Sequence, residues 1–274
     1  MRYDGSFRGI IGGDSMKRRP RGASRVTLGV VAAAILAVAG GLCLAGCGSE
    51  SRPHRFRPVS GSIELAPPHE AVIEIGPTRM TGATYSHWMA IGAATVEMPP
   101  PTGPVQAPVV YAPPGFTACV KHLQENARKA TTAQLQEKCK SVFESIQARI
   151  LNFLITGYWL RNEAAEEHVS VTATEVRKKF EDERRVHFPT AAAFRRLQEA
   201  SRQTIPDLEF AVKTQMLSAK LLERFTKRHS HIGSAQAGIL AFNAKIRGKW
   251  IPRTSCRAGY VVPDCKQYHA KGKM

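Results

Sequence analysis

The chain lacks the short signatures of the common catalytic classes. It has no phosphate-binding glycine loop, no Gly-x-Ser-x-Gly elbow and no His-Glu-x-x-His metal pair. That removes P-loop nucleotide hydrolysis, α/β-hydrolase chemistry and zinc-dependent proteolysis. No internal repeat is found, so a solenoid is also excluded. Acidic residues are scarce, 22 against 39 Lys plus Arg, and the formal charge is +17. Such a balance points first to nucleic acid, but no basic-aromatic motif of an RNA-binding sheet is present. Cysteines number six, and their spacings fit no zinc signature.

What is present begins with an export signal. Lys17, Arg18, Arg19, Arg21 and Arg25 precede an uncharged apolar run from Val26 to Gly46, which ends in Leu44-Ala45-Gly46-Cys47. Small residues before a cysteine are what lipoprotein signal peptidase requires, since the thiol accepts a diacylglycerol before the cut. Cys47 is therefore the expected lipidated residue, and residues 1–46 the expected signal peptide. Met16 stands just before the basic cluster, so residues 1–15 carry no functional reading. The apolar run is also long enough for the alternative, an uncleaved transmembrane anchor of about 20 residues. Two or three acyl chains anchor stably without a spanning helix.

Removing residues 1–46, with seven basic and two acidic side chains, lowers +17 to +12. An exported protein with that charge meets anionic lipid, acidic wall polymer or acidic client segments, and no nucleic acid. Outside the cell the four remaining cysteines oxidise. Four allow three pairings; the local ones, Cys119 with Cys139 and Cys256 with Cys265, are preferred.

Residues 47–70 hold Pro53, Pro58, Pro67 and Pro68 and read as a flexible spacer. From 71 to 274 the pattern is mainly α, a multi-helix bundle behind a short N-terminal β-hairpin. Ala71–Ile75 and Thr78–Met80 flank Gly76-Pro77 as two short strands. A helix over 83–94 carries Tyr85, Trp88, Met89 and Ile91. Seven prolines between Pro99 and Pro114 form a loop over 99–114. A short helix follows over 119–130, then the longest one to about Glu167. Leu135, Cys139, Val142, Ile146, Ile150, Phe153, Leu154 and Gly157 give the long helix an apolar stripe. Leu151, Ile155, Tyr158 and Trp159 widen the stripe almost all round, which requires packing on more than one side. Thr172–Glu175 is a capping box, Pro189 separates two helices, and Thr204–Asp207 caps a helix running to about Lys227. A last helix over 235–250 precedes a disulfide loop and tail, 251–274. His229 and His231 have no third ligand nearby and read as a solvated linker. Glu166, His168, Asp182, Arg184 and Arg185 read as surface charge.

Several stretches taken in order resemble the SurA and PrsA group of extracytoplasmic foldases. They are Val72-Ile73-Glu74-Ile75-Gly76-Pro77-Thr78-Arg79-Met80-Thr81, then His87-Trp88-Met89, then Ile150 through Leu160, Val171 through Val176, and Asp207-Leu208 through Leu222. The resemblance covers about three quarters of residues 47–274 and rests on order and spacing, since each motif is degenerate. It implies a helical peptide-binding module shared in outline with trigger-factor-type chaperones. The implied partners are unfolded or newly exported polypeptides, with no cofactor. Members with prolyl isomerase activity carry a parvulin domain after the equivalent of Phe225. Here only residues 226–234 intervene before the closing helix, too few for such a domain. The expectation is a lipid-anchored chaperone without catalysis. The alternatives are a peptidyl-prolyl isomerase and a structural adaptor lipoprotein. Trp88, Met89, Phe153, Tyr158, Trp159 and Met216 are the candidate client-binding residues, and core packing is the competing role for each.

Overall fold

A computed structural model describes residues 65–96, 104, 105, 107–127 and 129–270. Cys47, the expected signal peptide and most of the expected spacer lie outside the described residues. Strand β1 (Ala71–Ile75) pairs antiparallel with β2 (Thr78–Thr81). Gly76 makes the tight connection at φ +53°, a left-handed conformation that glycine adopts without a Cβ penalty. Packing begins before Ala71: Ala66 is buried, and its N–H donates to the Tyr260 hydroxyl at 2.8 Å.

A third strand, β3 (Thr254–Cys256), pairs with the other edge of β1, giving the order β2-β1-β3. It falls inside the region read from sequence as a disulfide loop. Three residues carry no alternation long enough to signal a strand, and the pairing spans most of the chain.

Eight helices surround this small sheet among the described residues. They are α1 (Gly82–Val96), α2 (Thr117–Asn126), α3 (Thr132–Glu166), α4 (Ala173–His187), α5 (Ala191–Ser201), α6 (Ile205–Arg228), α7 (Ala235–Trp250) and α8 (Lys266–Ala270). Helices α3, α4 and α6 each start with a full capping box, at Thr131/Gln134, Thr172/Glu175 and Thr204/Asp207. Each box satisfies two N-terminal donors that the helix itself cannot. Helix α2 starts and ends earlier than its expected 119–130. Phe116, buried in a left-handed conformation, sets its first turn, and Thr131 begins the next helix.

At 35 residues α3 is about 52 Å long. Its first half carries a separate small core, in which Leu135, Cys139 and Phe143 meet Phe116, Cys119 and Val120 of the α2 region. The Cys119–Cys139 disulfide crosses this core. In its second half α3 contacts β1, α1, α6 and α7, so Leu151, Leu154, Ile155, Trp159 and Leu160 are buried on successive sides. The widened apolar surface read from the sequence is this multi-sided packing. The second disulfide, Cys256–Cys265, ties β3 to the start of α8.

Glu163 is the most deeply buried of the charged residues described. Glu163 on α3 is 0% exposed, and Lys249 Nζ donates to its Oε2 at 2.5 Å while Trp250 Nε1 donates to the same oxygen at 3.0 Å. Lys245 Nζ lies 3.1 Å from Oε1. Burial pushes this carboxyl up, but the donors from Lys249, Trp250 and Lys245 outweigh it and hold it below the usual carboxylate range. The α3–α7 contact is thus charged at its centre and apolar around it.

Candidate functional site

Aromatic rings from three helices meet on one side of the bundle. Trp88 of α1 lies 5.1 Å from Phe153 of α3 and 5.7 Å from Phe210 of α6, between ring centroids. Phe210 also lies 5.7 Å from Phe153 and 6.1 Å from Tyr158. All four pairs are tilted or edge-on, the arrangement favoured by the ring quadrupole. Trp88 is 5% exposed and forms the floor, whereas Phe153, Tyr158 and Phe210 are half-buried and form the accessible surface. The Arg161 guanidinium stands 5.6 Å from the Tyr158 ring and 6.0 Å from that of Phe210.

Two features bring these helices close. Gly157 faces Phe210, and a Cβ built on it would lie 3.0 Å from Phe210 Cζ. A glycine inside a helix costs about 1 kcal/mol relative to alanine, and here its missing side chain admits the ring. Beside Trp88, His87 Nε2 lies 2.8 Å from Asp207 Oδ1. The other Asp207 oxygen accepts from the Thr204 N–H and hydroxyl in the α6 capping box. Burial raises the Asp207 carboxyl, but the Thr204 and His87 bonds prevail and hold it below the usual range. As an ionised carboxylate it can only accept, so His87 Nε2 donates. One residue thus caps α6 and ties it to α1 next to the aromatic face.

Of the six residues expected from sequence, Trp88, Phe153 and Tyr158 belong to this cluster. Met89 is half-buried between the two cores, and Met216 packs against the larger one. Trp159 is corrected to a core residue: it is 1% exposed, and its Nε1 donates to Thr254 Oγ1 at 2.7 Å. Tyr158 and Trp159 are adjacent on a helix, so they point about 100° apart, and it is Trp159 that turns into the core and Tyr158 that turns outward. Phe210 was missed, although it makes three of the contacts. It falls within the Asp207–Leu222 segment, and a glycine in the apolar stripe of α3 was the available signal that a large side chain fills the notch.

Among the described residues, no group of three or more His, Cys, Asp or Glu could hold a metal ion. His229 is occupied otherwise: its Nδ1 is 2.8 Å from the Phe225 carbonyl oxygen, and its ring stacks on Phe225 at 4.1 Å. Glu166 is exposed and pairs with Lys249 and Arg253, while Asp182 pairs with Lys178 and Arg185. Comparison with protein-family models, with curated proteins and with solved structures finds no match to this chain. The functional reading therefore rests on the residues themselves.

Proposed function

We propose that the protein is a lipid-tethered extracytoplasmic chaperone that holds unfolded or newly exported polypeptides on its aromatic face without covalent chemistry. The observation that carries this is the half-buried Phe153–Tyr158–Phe210 surface over Trp88. Rigid aromatic side chains offer large contact area at little conformational cost, and apolar surface left open on a soluble domain marks a binding site. Arg161 at the edge adds attraction for acidic or aromatic client segments. A net positive chain speeds encounter with acidic clients without fixing their sequence. The tether is read from Leu44-Ala45-Gly46-Cys47 and places the domain at the outer surface of a membrane.

Light scattering from a chemically denatured client tests the binding reading. The full chain is expected to slow aggregation at stoichiometric ratios, and the double variant Tyr158→Ser/Arg161→Ser to slow it several-fold less while remaining folded by circular dichroism at the assay temperature. Equal suppression by the variant, or none by the parent, overturns the assignment. Mass spectrometry of the mature N-terminus tests the tether separately: a diacylated or triacylated Cys47 is expected, and an unmodified Cys47 still preceded by Ala45-Gly46 removes it.

A further inference from the structure

On another side of α3 the C-terminal loop closes a groove of about 330 Å³, within the size range of small-ligand sites. Helix α3 supplies Ala148, Arg149 and Asn152, helix α7 supplies Arg247, and the loop supplies Val262, Pro263 and Asp264. Asn152 and Gly157 point about 140° apart around the helix, and none of the four aromatic rings lines this groove. The loop is held in place. The disulfide from Cys256 fixes Cys265, the Val262 N–H reaches Cys265 Sγ at 3.2 Å, and Gln147 Nε2 donates to the Gly259 carbonyl at 3.2 Å.

Asp264 organises the groove from beneath. It is 2% exposed, and both its oxygens are engaged: Oδ1 accepts from Arg247 Nη1 at 2.5 Å and Oδ2 from Asn152 Nδ2 at 2.8 Å. A buried carboxylate so bound fixes the orientation of both donors before any ligand arrives. It also commits the Asn152 amide nitrogen, which leaves the amide oxygen free to accept. Arg149 is exposed and makes no ion pair or hydrogen bond with any described residue. Two guanidinium groups against one carboxylate leave the groove with one uncompensated positive charge.

The groove therefore offers three complementary elements: guanidinium donors, one amide acceptor, and the apolar surfaces of Ala148, Val262 and Pro263. A polypeptide terminus has the matching three, namely a carboxylate, the last peptide N–H and the last side chain. Inorganic phosphate would use the cations but not the apolar wall. An acidic side chain inside a peptide carries its carboxylate on a flexible stem, away from its own N–H. We infer that this groove binds the free α-carboxylate end of a polypeptide whose last residue is apolar and of small or medium size. Arg149 and Arg247 hold the carboxylate, Asn152 accepts the terminal N–H, and Val262 and Pro263 receive the side chain.

Fluorescence anisotropy of a short labelled peptide ending in valine, titrated with the full chain, tests this. The free-acid peptide is expected to bind and its C-terminal amide to bind at least about tenfold more weakly, the loss of a charge-assisted contact. Arg149→Gln is expected to weaken the free acid by about fivefold or more; because Arg149 is exposed and unpaired, its denaturation midpoint stays unchanged. An amidated peptide with an internal glutamate is expected to compete poorly, as is inorganic phosphate. Equal binding of acid and amide, no binding of the acid, or equal competition by the internal glutamate each overturns the inference.

Discussion

The indole nitrogen of Trp159 donates to Thr254 Oγ1 at 2.7 Å, and that hydroxyl in turn donates to the Trp250 carbonyl at 2.8 Å. This two-step chain joins the C-terminal part of the longest helix to the third strand and to the end of α7. All three groups are buried, where a donor without an acceptor loses its full desolvation cost rather than a net bond.

Thr254→Val keeps the shape of the side chain and removes the acceptor. It is expected to destabilise the domain by about 1–3 kcal/mol in urea denaturation, the cost of stranding the indole N–H. Pairing it with Trp159→Phe removes the stranded donor too, so the double variant is expected to lose less than the sum of the two singles. Strict additivity would show that the hydrogen bond carries no coupling.

Glu163 is expected to govern part of the acid sensitivity. Its folded carboxyl sits below the ordinary range, so its contribution is fully present above the unfolded value and is lost as pH falls through the folded one. Glu163→Gln leaves Lys245 and Lys249 without their buried partner. Breaking a buried pair costs about 3–5 kcal/mol, and because both lysines reach solvent in part, the lower end is expected near neutral pH. Denaturation midpoints across pH should then show the gap between parent and variant narrowing as pH drops below about 4.3, the ordinary Glu value. A gap independent of pH would remove this account.

Much of this fold was legible because its signals are local. Capping boxes at Thr172 and Thr204, prolines that separate elements, and a period near 3.6 in the long helix each act within a few residues. Both disulfides were legible for the same reason, since each closes a short loop. Strand β3 was not legible, because Thr254–Cys256 becomes a strand only through pairing with β1, far away in the chain. Glu163 was passed over for a related reason. An acid on an otherwise apolar helix face gives no hint of its partners, and Lys245, Lys249 and Trp250 arrive from α7. At the aromatic face, periodicity named which residues were apolar but not which of two neighbours faced outward. That choice placed Trp159 in the core and Tyr158 at the surface.

Gly157→Ala separates stability from binding. The new methyl would lie 3.0 Å from Phe210 Cζ, the far end of a half-buried ring that can swing outward. Alanine favours the helix by about 1 kcal/mol over glycine, which offsets the displacement. Stability is expected to change by less than about 1 kcal/mol, while Trp88 fluorescence shifts and client holding weakens as the Phe210 ring moves. Unchanged fluorescence with unchanged holding would show that the face does not depend on this close approach.

The last prediction concerns catalysis. Rotation about a prolyl peptide bond has a barrier of about 18–20 kcal/mol, and lowering it takes a pocket that encloses the twisted amide and excludes water. Between α6 and α7 the chain has only residues 229–234, in which Ser230, His231, Gly233 and Ser234 are exposed. Such a linker encloses nothing. The aromatic face is formed by half-buried rings over Trp88, and the groove beneath Arg149 opens beside two cations rather than around an apolar ring. Holding an extended client needs only contact area, whereas twisting an amide needs enclosure. The full chain is therefore expected to slow client aggregation while leaving the cis-trans relaxation of a proline peptide at its uncatalysed rate in a protease-coupled assay. Acceleration that survives repurification and disappears on substituting a residue of this chain would replace the holding role with an enzymatic one.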